Sequence, residues 1–226
     1  MTKKDIEELL EHCSNKIEEI KKSETISKVD VKNILENLRS SLEYCAQYIN
    51  YTVYNKKSKI YFPYGKTEDQ FKKSINRNFL SLKKKNPKIY KFIEDLQPHI
   101  LNDNWLVIMC EATNEAKHNN ALNIENQIDV HKKITVDIPG VIYIPDARAV
   151  TFKGNYIDDK PIDDFVINND TIEITKKGLV TPQFNFEIVE NKTFLLKDYQ
   201  CDLIQLLEKS LKSIREFSNN LYNNIN

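Results

Sequence analysis

Glycine is scarce in this sequence, with four among 226 residues, and proline occurs seven times. Such low contents exclude the glycine- and proline-rich low-complexity class of proteins, whose chains bury too little apolar surface to fold. Apolar residues make up 40% of the chain, which is enough to fill a hydrophobic core. The length suits one large domain or two small ones.

Cysteines are too few and too scattered for a disulfide framework or a zinc site. Cys13, Cys45, Cys110 and Cys201 form no C-x-x-C pair. Three of the four fall on apolar faces of predicted helices. We therefore expect buried free thiols, with no metal site and no other cofactor.

Long apolar runs and net charge are also missing. No stretch approaches the ~18 consecutive apolar residues that a membrane-spanning helix needs. The N-terminal stretch MTKKDIEELLEHC is charged and amphipathic and lacks the apolar centre of a signal peptide. Basic and acidic residues both total 33, so no overall field selects a partner. These absences predict a soluble cytoplasmic protein without membrane contact.

Hydrophobic spacing predicts six helices. They cover residues 5–22, 30–54, 67–78, 87–96, 105–122 and 198–221. Asp30 is expected to cap the second helix, and Asn102 or Asp103 the fifth, by accepting an unpaired backbone N–H. The fifth helix opens with WLVIMC, which is apolar all round, so neighbours should cover it on most sides.

Between residues 128 and 196 the pattern changes to short alternating or β-branched runs. Six to eight strands are predicted, in a small antiparallel sheet that is curled or doubled into a sandwich. Hairpin turns or acidic turn pairs are predicted at 153–155, 168–170, 176–178, Asp158-Asp159 and Asp163-Asp164.

These patterns predict an α+β protein in three parts. Residues 1–125 should form a helical bundle, and residues 126–196 a small antiparallel β module. The C-terminal helix, within residues 197–226, carries an apolar stripe that needs a partner. We therefore expect it to pack back on the bundle.

Residues 56–91 form an unusually basic segment. Twelve lysines and arginines stand there against Glu68 and Asp69, a surplus of ten positive charges. Six aromatic residues are interleaved with them: Tyr61, Phe62, Tyr64, Phe71, Phe79 and Tyr90. Because cations neutralise phosphates and exposed rings stack on unpaired bases, this composition suits single-stranded nucleic acid.

The same segment has a plainer interpretation as a loop and two short helices with a solvated lysine face. Phe71, Ile75 and Phe79 recur every four residues, which favours inward packing of these aromatic rings. If the segment binds nucleic acid, six cations are the candidate ligands of phosphate: Lys72, Lys73, Arg77, Lys83, Lys84 and Lys85.

The fifth predicted helix carries a second candidate site. Asn114 and His118 are four residues apart, so they stack one turn above the other and can reach the same partner. They are equally explained as a polar pair that bonds neighbouring helices or faces water. Arg39 and Glu43 have the same spacing on the second helix, either as a surface ion pair or as a pair that meets the fifth helix.

The stretch TNEAKH at residues 113–118 resembles the Arg-polar-x-x-x-His motif of the HEPN superfamily of helical domains. Asn114 and His118 match the polar and histidine positions, whereas Thr113 stands where that family has arginine. Further similarity to uncharacterised bacterial and phage HEPN-like proteins lies at residues 38–44, Phe62-Pro63 and Gln97-Pro98. The resemblance covers residues 30–122 and leaves out the β region.

The resemblance implies metal-independent RNA cleavage or RNA binding by a homodimer, often in toxin–antitoxin or antiphage systems. His118 would act as acid or base while the RNA 2′-hydroxyl attacks the adjacent phosphate, with Asn114 at the polar position. Because Thr113 brings no charge to the phosphate, Lys117 or Arg39, held by Glu43, is the candidate replacement. Loss of cleavage with intact folding in Lys117→Ala or Arg39→Ala would support that replacement.

Three functional classes stay open. The first is a HEPN-like ribonuclease, and the second is an inactive HEPN-like module that binds RNA or an enzyme subunit. The third is a non-enzymatic interaction protein whose β module binds a protein partner, with Asn114 and His118 bracing helices. The basic segment favours RNA, so we expect a HEPN-like RNA-associated protein that binds or weakly cleaves RNA in defence.

Overall fold

The computed structural model describes residues 2–118 and 122–224, apart from the side chains of His118, His131 and Asn191. The chain forms two compact units. Unit 1 comprises Met1–Asn126 together with Phe194–Asn226, and unit 2 comprises Gln127–Thr193. Both helices and antiparallel strands are present, which confirms the predicted mixed α and β class.

Eight α-helices lie in the described part of the chain, all of them in unit 1. They are α1 (Lys3–Lys22), α2 (Lys28–Tyr54), α3 (Glu68–Asn78), α4 (Leu82–Lys85), α5 (Pro87–Glu94), α6 (Pro98–Leu101), α7 (Trp105–His118) and α8 (Leu203–Asn224). Across those described residues, no helix combines the length and the apolar character that crossing a bilayer requires.

The hydrogen bonds that cap the helices confirm one predicted helix start and correct two others. Ser27, not Asp30, caps α2, because its hydroxyl accepts the Asp30 N–H at 3.2 Å and the helix starts earlier. Asp103 caps α7 as predicted, since its Oδ1 accepts the Trp105 N–H at 2.9 Å. Asp202 accepts the Gln205 N–H at 2.8 Å, so α8 begins later than predicted.

The end of α7 also differs from the prediction. The helix was expected to continue to Leu122, but α7 ends at His118, and Leu122 is buried outside any helix. Residues 119–121 of the predicted helix lie outside the described residues.

One hydrophobic core fills unit 1. α8 packs against α1, α2 and α7, and α1 and α7 both pack against α2. Leu35, Leu38 and Leu42 of α2 and Met109 of α7 are fully buried there. Burial of each such side chain contributes roughly 1.5–3 kcal/mol to folding.

Nine strands occur in the described residues. They are β1 (Ile124–Ile138), β2 (Ile142–Ile144), β3 (Ala149–Phe152), β4 (Tyr156–Ile157), β5 (Lys160–Pro161), β6 (Asp164–Asn168), β7 (Thr171–Lys176), β8 (Gln183–Leu196) and β9 (Cys201–Asp202). They form sheets of order β2-β1-β8-β9, β3-β6-β7 and β4-β5. β1 runs from unit 1 into unit 2, and β8 returns from unit 2 into unit 1.

Unit 2 has its own core, in which Ile134, Val136 and Ile138 of β1 pack with Phe165 and Ile167 of β6. The predicted turn at 168–170 is confirmed, because it joins the antiparallel strands β6 and β7.

Three predicted turns of unit 2 are wrong. Residues 153–155 form no hairpin, because β3 pairs with β6 and β4 pairs with β5. Residues 176–178 form no hairpin, because the chain continues beside Pro161, whose carbonyl accepts the Leu179 N–H at 2.7 Å. Asp163 is fully buried instead of lying in an exposed turn. Its carboxylate accepts the Gly178 N–H at 2.6 Å and pairs with Lys177.

Candidate functional site

Three polar side chains on one face of α2 bind the extended segment that follows the helix. The hydrogen bonds are Phe62 N–H to Glu43 Oε2 at 2.7 Å, Gln47 Nε2 to Ile60 O at 3.0 Å and Asn50 Nδ2 to Ser58 O at 3.0 Å. Spacings of four and three residues share a helix face, and alternate residues of an extended chain share a side. Residues 58–62 are therefore held along α2.

A buried glutamine fixes the next residues. The Gln97 amide donates to Pro63 O at 3.3 Å and accepts the Gly65 N–H at 3.2 Å, and the Gln97 side chain is fully buried. The Gly65 backbone lies against the Phe71 nitrogen of α3, so a Cβ would not fit there. The path of residues 58–65 is thus set by side chains of α2 and by Gln97.

Lysines and tyrosines from this segment meet those of α2, α3 and α4 on one surface. We define this lysine–tyrosine surface as Tyr51, Tyr54, Lys56, Lys57, Lys59, Tyr61, Arg77, Lys84 and Lys85. Three contacts join its parts: Tyr54 OH donates to Leu80 O at 3.0 Å, Tyr61 N–H donates to Asn78 Oδ1 at 3.2 Å, and Lys85 Nζ lies 4.3 Å from the Tyr54 ring centroid.

The cations of this surface are exposed and lack acidic partners. None of its six lysines and arginines forms an ion pair with a carboxylate anywhere in residues 2–118 and 122–224. Tyr51 and Tyr61 are 55% and 53% exposed. The surface therefore combines uncompensated positive charge with accessible aromatic rings.

The six cations predicted to bind nucleic acid have different environments. Lys73, Arg77 and Lys84 are exposed, whereas Lys72 pairs with Glu68 at 2.7 Å on α3. Lys83 and Lys85 lie 5.0 and 4.3 Å from the ring centroids of Tyr90 and Tyr54.

Most aromatic residues of the basic segment serve the core. Phe62, Phe71 and Phe79 are buried, which confirms the inward packing that the spacing of Phe71, Ile75 and Phe79 favoured. Tyr61 is the exposed one of the six. The sequence pattern did not point to Tyr51 and Tyr54, because they belong to the end of α2, outside the basic segment.

Arg39 lies in a second polar cluster between α2 and α7. Its Nε and Nη2 donate to Glu43 Oε1 at 2.8 and 2.7 Å, and its Nη1 donates to Cys110 Sγ. The guanidinium carbon is 5.0 Å from the Tyr64 ring centroid. The predicted Arg39–Glu43 pair therefore exists, largely buried against α7, with its donors engaged by protein groups.

The pKa shifts of Arg39 and Cys110 indicate that this cluster has a structural role. Burial alone would lower the pKa of the Arg39 guanidinium, but Cys110, Glu43 and Tyr64 raise it above its ordinary value. Burial raises the pKa of Cys110 to about 11, although Arg39 acts in the opposite direction. Cys110 is therefore a thiol at neutral pH, which excludes it as an activated nucleophile.

The HEPN-like stretch occupies the last two turns of α7. Thr113 is buried, and its hydroxyl donates to Met109 O at 2.7 Å and contacts Leu35 O of α2 at 3.4 Å. Asn114 and Lys117 are exposed. His118 is the last residue of α7, and its side chain lies outside the described part of the structure.

Comparison of the chain with protein-family models, curated proteins and solved structures finds no significant match. The HEPN resemblance therefore stays a prediction that rests on its own motif. Among the described residues, no group of three or more His, Cys, Asp or Glu side chains is placed to hold a metal ion.

Proposed function

We propose that the protein is a HEPN-like RNA-associated protein that binds single-stranded RNA through the lysine–tyrosine surface. The observation that carries this proposal is that six cations, none of them paired with a described carboxylate, share one surface with the exposed rings of Tyr51 and Tyr61. Phosphates are held by exposed cations, and unpaired bases stack on accessible rings, so single strands use both features.

Two contacts favour binding over cleavage. A HEPN-like ribonuclease needs a cation beside its histidine to stabilise the charge that develops on phosphate. At the arginine position of the motif, Thr113 is buried and bonded to backbone carbonyls. Arg39, a candidate replacement, donates to Glu43 and Cys110 instead.

Fluorescence anisotropy with a labelled twelve-nucleotide single-stranded RNA tests the proposal. The variant Lys57→Gln/Arg77→Gln/Lys84→Gln should bind roughly tenfold more weakly than wild type. The slope of log affinity against log salt should fall by about 2, since each lost phosphate contact removes about 0.7.

A charge-matched control is Lys4→Gln/Lys22→Gln/Lys28→Gln, which removes three exposed lysines at α1 and the start of α2. This variant should keep wild-type affinity. Equal losses in both variants, or binding that salt does not weaken, would contradict an RNA site at the lysine–tyrosine surface.

The same labelled RNA distinguishes binding from cleavage. Incubated without metal and resolved on a gel, it should stay intact with wild type and with His118→Ala. Cleavage by wild type that disappears in His118→Ala would instead establish a ribonuclease, and Lys117→Ala would then test the remaining candidate cation.

An interaction role for the β module is the second candidate function, and exposed apolar side chains of unit 2 favour it. Ile128 and Val130 of β1 and Phe186 and Ile188 of β8 are between 53% and 74% exposed. Lys132 Nζ lies 4.1 Å from the Phe186 ring centroid, so alternate residues of both strands share this face. Large exposed apolar groups commonly mark protein interfaces.

A second copy of the chain is the partner that sedimentation analysis can test directly. Wild-type protein should sediment as a dimer at micromolar concentration, and Phe186→Ser/Ile188→Ser should sediment as a monomer. A micromolar dimer has a dissociation free energy of about 8 kcal/mol. If wild type were still monomeric at about 100 μM, its self-association would be far weaker than that, which would contradict this dimer.

A further inference from the structure

A groove of about 400 Å³ adjoins the lysine–tyrosine surface at the C-terminal end of α2. It is lined by Gln47, Tyr48, Tyr51, Lys56 and Lys57. This volume is at the low end of the ~300–1,000 Å³ found for small-ligand pockets. The groove can therefore take one nucleotide unit and is too small for a double helix.

The two tyrosines of the groove differ in how firmly they are held. The Tyr48 ring stacks on the Tyr222 ring of α8, with centroids 4.2 Å apart and planes 29° from parallel. Tyr51 is 55% exposed, and its ring has no stacking partner within residues 2–118 and 122–224. Tyr48 is thus a fixed side of the groove, whereas the exposed ring of Tyr51 is accessible for stacking by a ligand.

The lysines of the groove are placed by the turn that ends α2. Asn55 adopts a left-handed conformation with φ 52°, and the Lys56 N–H donates to Asn50 O at 3.3 Å. Asn50 and Gln47 also hold Ser58 and Ile60, so the turn is tied down on both sides. Both lysines then lie at the groove, and neither pairs with a carboxylate of the described residues.

Gln47 adds a directed hydrogen-bond acceptor. Its Nε2 donates to Ile60 O at 3.0 Å, which fixes the amide and leaves Oε1 to accept. An aromatic face, a fixed amide acceptor and two cations are the groups that bind a base together with its flanking phosphates.

We propose that this groove is a nucleobase subsite, in which one unpaired base of single-stranded RNA stacks on Tyr51. Gln47 Oε1 accepts an N–H from the base edge, and Lys56 and Lys57 contact the adjacent phosphates. This subsite rests on the proposed RNA-binding function. It adds contacts to a base, from Tyr51 and Gln47, to the contacts that the lysines make with the phosphate backbone.

Two RNAs of equal charge test the subsite: a twelve-nucleotide oligouridine and an abasic ribose-phosphate strand of the same length. Wild type should bind oligouridine about tenfold more tightly than the abasic strand, in line with the stacking of one base. Tyr51→Ala should lose most of this preference, since only the Tyr61 ring of the lysine–tyrosine surface is still exposed, and should keep its affinity for the abasic strand. Tyr51→Phe keeps the ring and should bind like wild type.

Tyr156→Ala is the matched control, because Tyr156 is a tyrosine of unit 2 that is 64% exposed. It should leave both affinities unchanged. Equal binding of the two strands by wild type, or full oligouridine affinity in Tyr51→Ala, overturns the subsite while salt-dependent binding still supports the RNA function. Binding of neither strand overturns both.

Discussion

The guanidinium of Arg39 is bonded by protein groups on several sides, so its removal should act on stability. In Arg39→Ala, the largely buried Glu43 carboxylate keeps the Phe62 N–H as its one partner among the described residues. We expect the free energy of unfolding to fall by about 2 kcal/mol, between the cost of breaking an exposed ion pair and a fully buried one. Urea unfolding followed by circular dichroism measures this change.

Lys72→Ala is the control for that measurement. Lys72 and Glu68 have the same i, i+4 spacing, but both side chains are exposed. Its effect should stay below about 0.5 kcal/mol. If Arg39→Ala lost no more stability than Lys72→Ala, the largely buried Arg39–Glu43 pair would contribute no more to folding than an exposed pair.

Three buried thiols should make stability depend on alkaline pH. Burial raises the pKa of Cys13 and Cys45 to about 12 and that of Cys110 to about 11, from an ordinary value of 9.0. The folded chain therefore keeps protons that the unfolded chain releases above pH 9. This stability is present below pH 9 and is lost as pH rises toward the folded pKa values.

The measurement is urea unfolding of wild type and Cys45→Ala at pH 8 and pH 10. Each buried thiol should account for about 1 kcal/mol of the loss between these pH values. The loss should be smaller by that amount in Cys45→Ala than in wild type. An identical loss in the two proteins would mean that Cys45 ionises in the folded state.

At the scale of elements, the extended segment 58–65 depends on close backbone packing at Gly65. A Cβ there would lie 2.3 Å from the Phe71 nitrogen and 2.8 Å from Gln70 Cβ. Since backbone atoms of α3 cannot yield cheaply, Gly65→Ala should destabilise the protein by about 3 kcal/mol, as overpacked cores do. Thermal unfolding measures the effect.

Gly154→Ala provides the comparison. Gly154 has φ +67°, and nothing lies within 4 Å of the position of its Cβ. Only left-handed backbone strain opposes alanine there, which costs roughly 1–2 kcal/mol. Equal effects of the two substitutions would show that residues 58–65 shift to accept a side chain.

At the scale of the whole molecule, two separate cores suggest that unit 1 folds without unit 2. The Lys197 N–H donates to Asn123 O at 2.9 Å, so β1 and β8 are neighbours where they leave unit 1. Replacement of residues 127–193 by an Asn-Gly turn should therefore close a short hairpin. We expect the shortened protein to keep its helical circular dichroism and its RNA affinity.

Trp105 makes this experiment specific, because it is the single tryptophan and is buried in unit 1. Its fluorescence should be the same in the shortened and full-length proteins. Loss of the buried tryptophan signal would show that unit 1 needs unit 2 to fold. An intact signal with lost RNA binding would assign part of the RNA site to unit 2.

Helices and strands were largely predictable from the sequence because their signals are local. A repeat of three to four residues placed the main helices, and the four-residue spacing of Phe71, Ile75 and Phe79 indicated their burial. Helix ends were less predictable, since one hydroxyl or carboxylate decides them. Ser27 caps α2, so this helix starts before Asp30, and Asp202 caps α8, which starts later than predicted.

The sequence alone also determined which residues carry positive charge, but it could not determine which of them share a surface. That was decided by tertiary hydrogen bonds of Glu43, Gln47 and Asn50, which bring the basic loop back along α2 beside Tyr51. Only the fold placed Thr113 at a helix interface and Arg39 against Cys110. The physical reason is that such contacts depend on where distant segments meet, whereas charge and periodicity belong to each segment by itself.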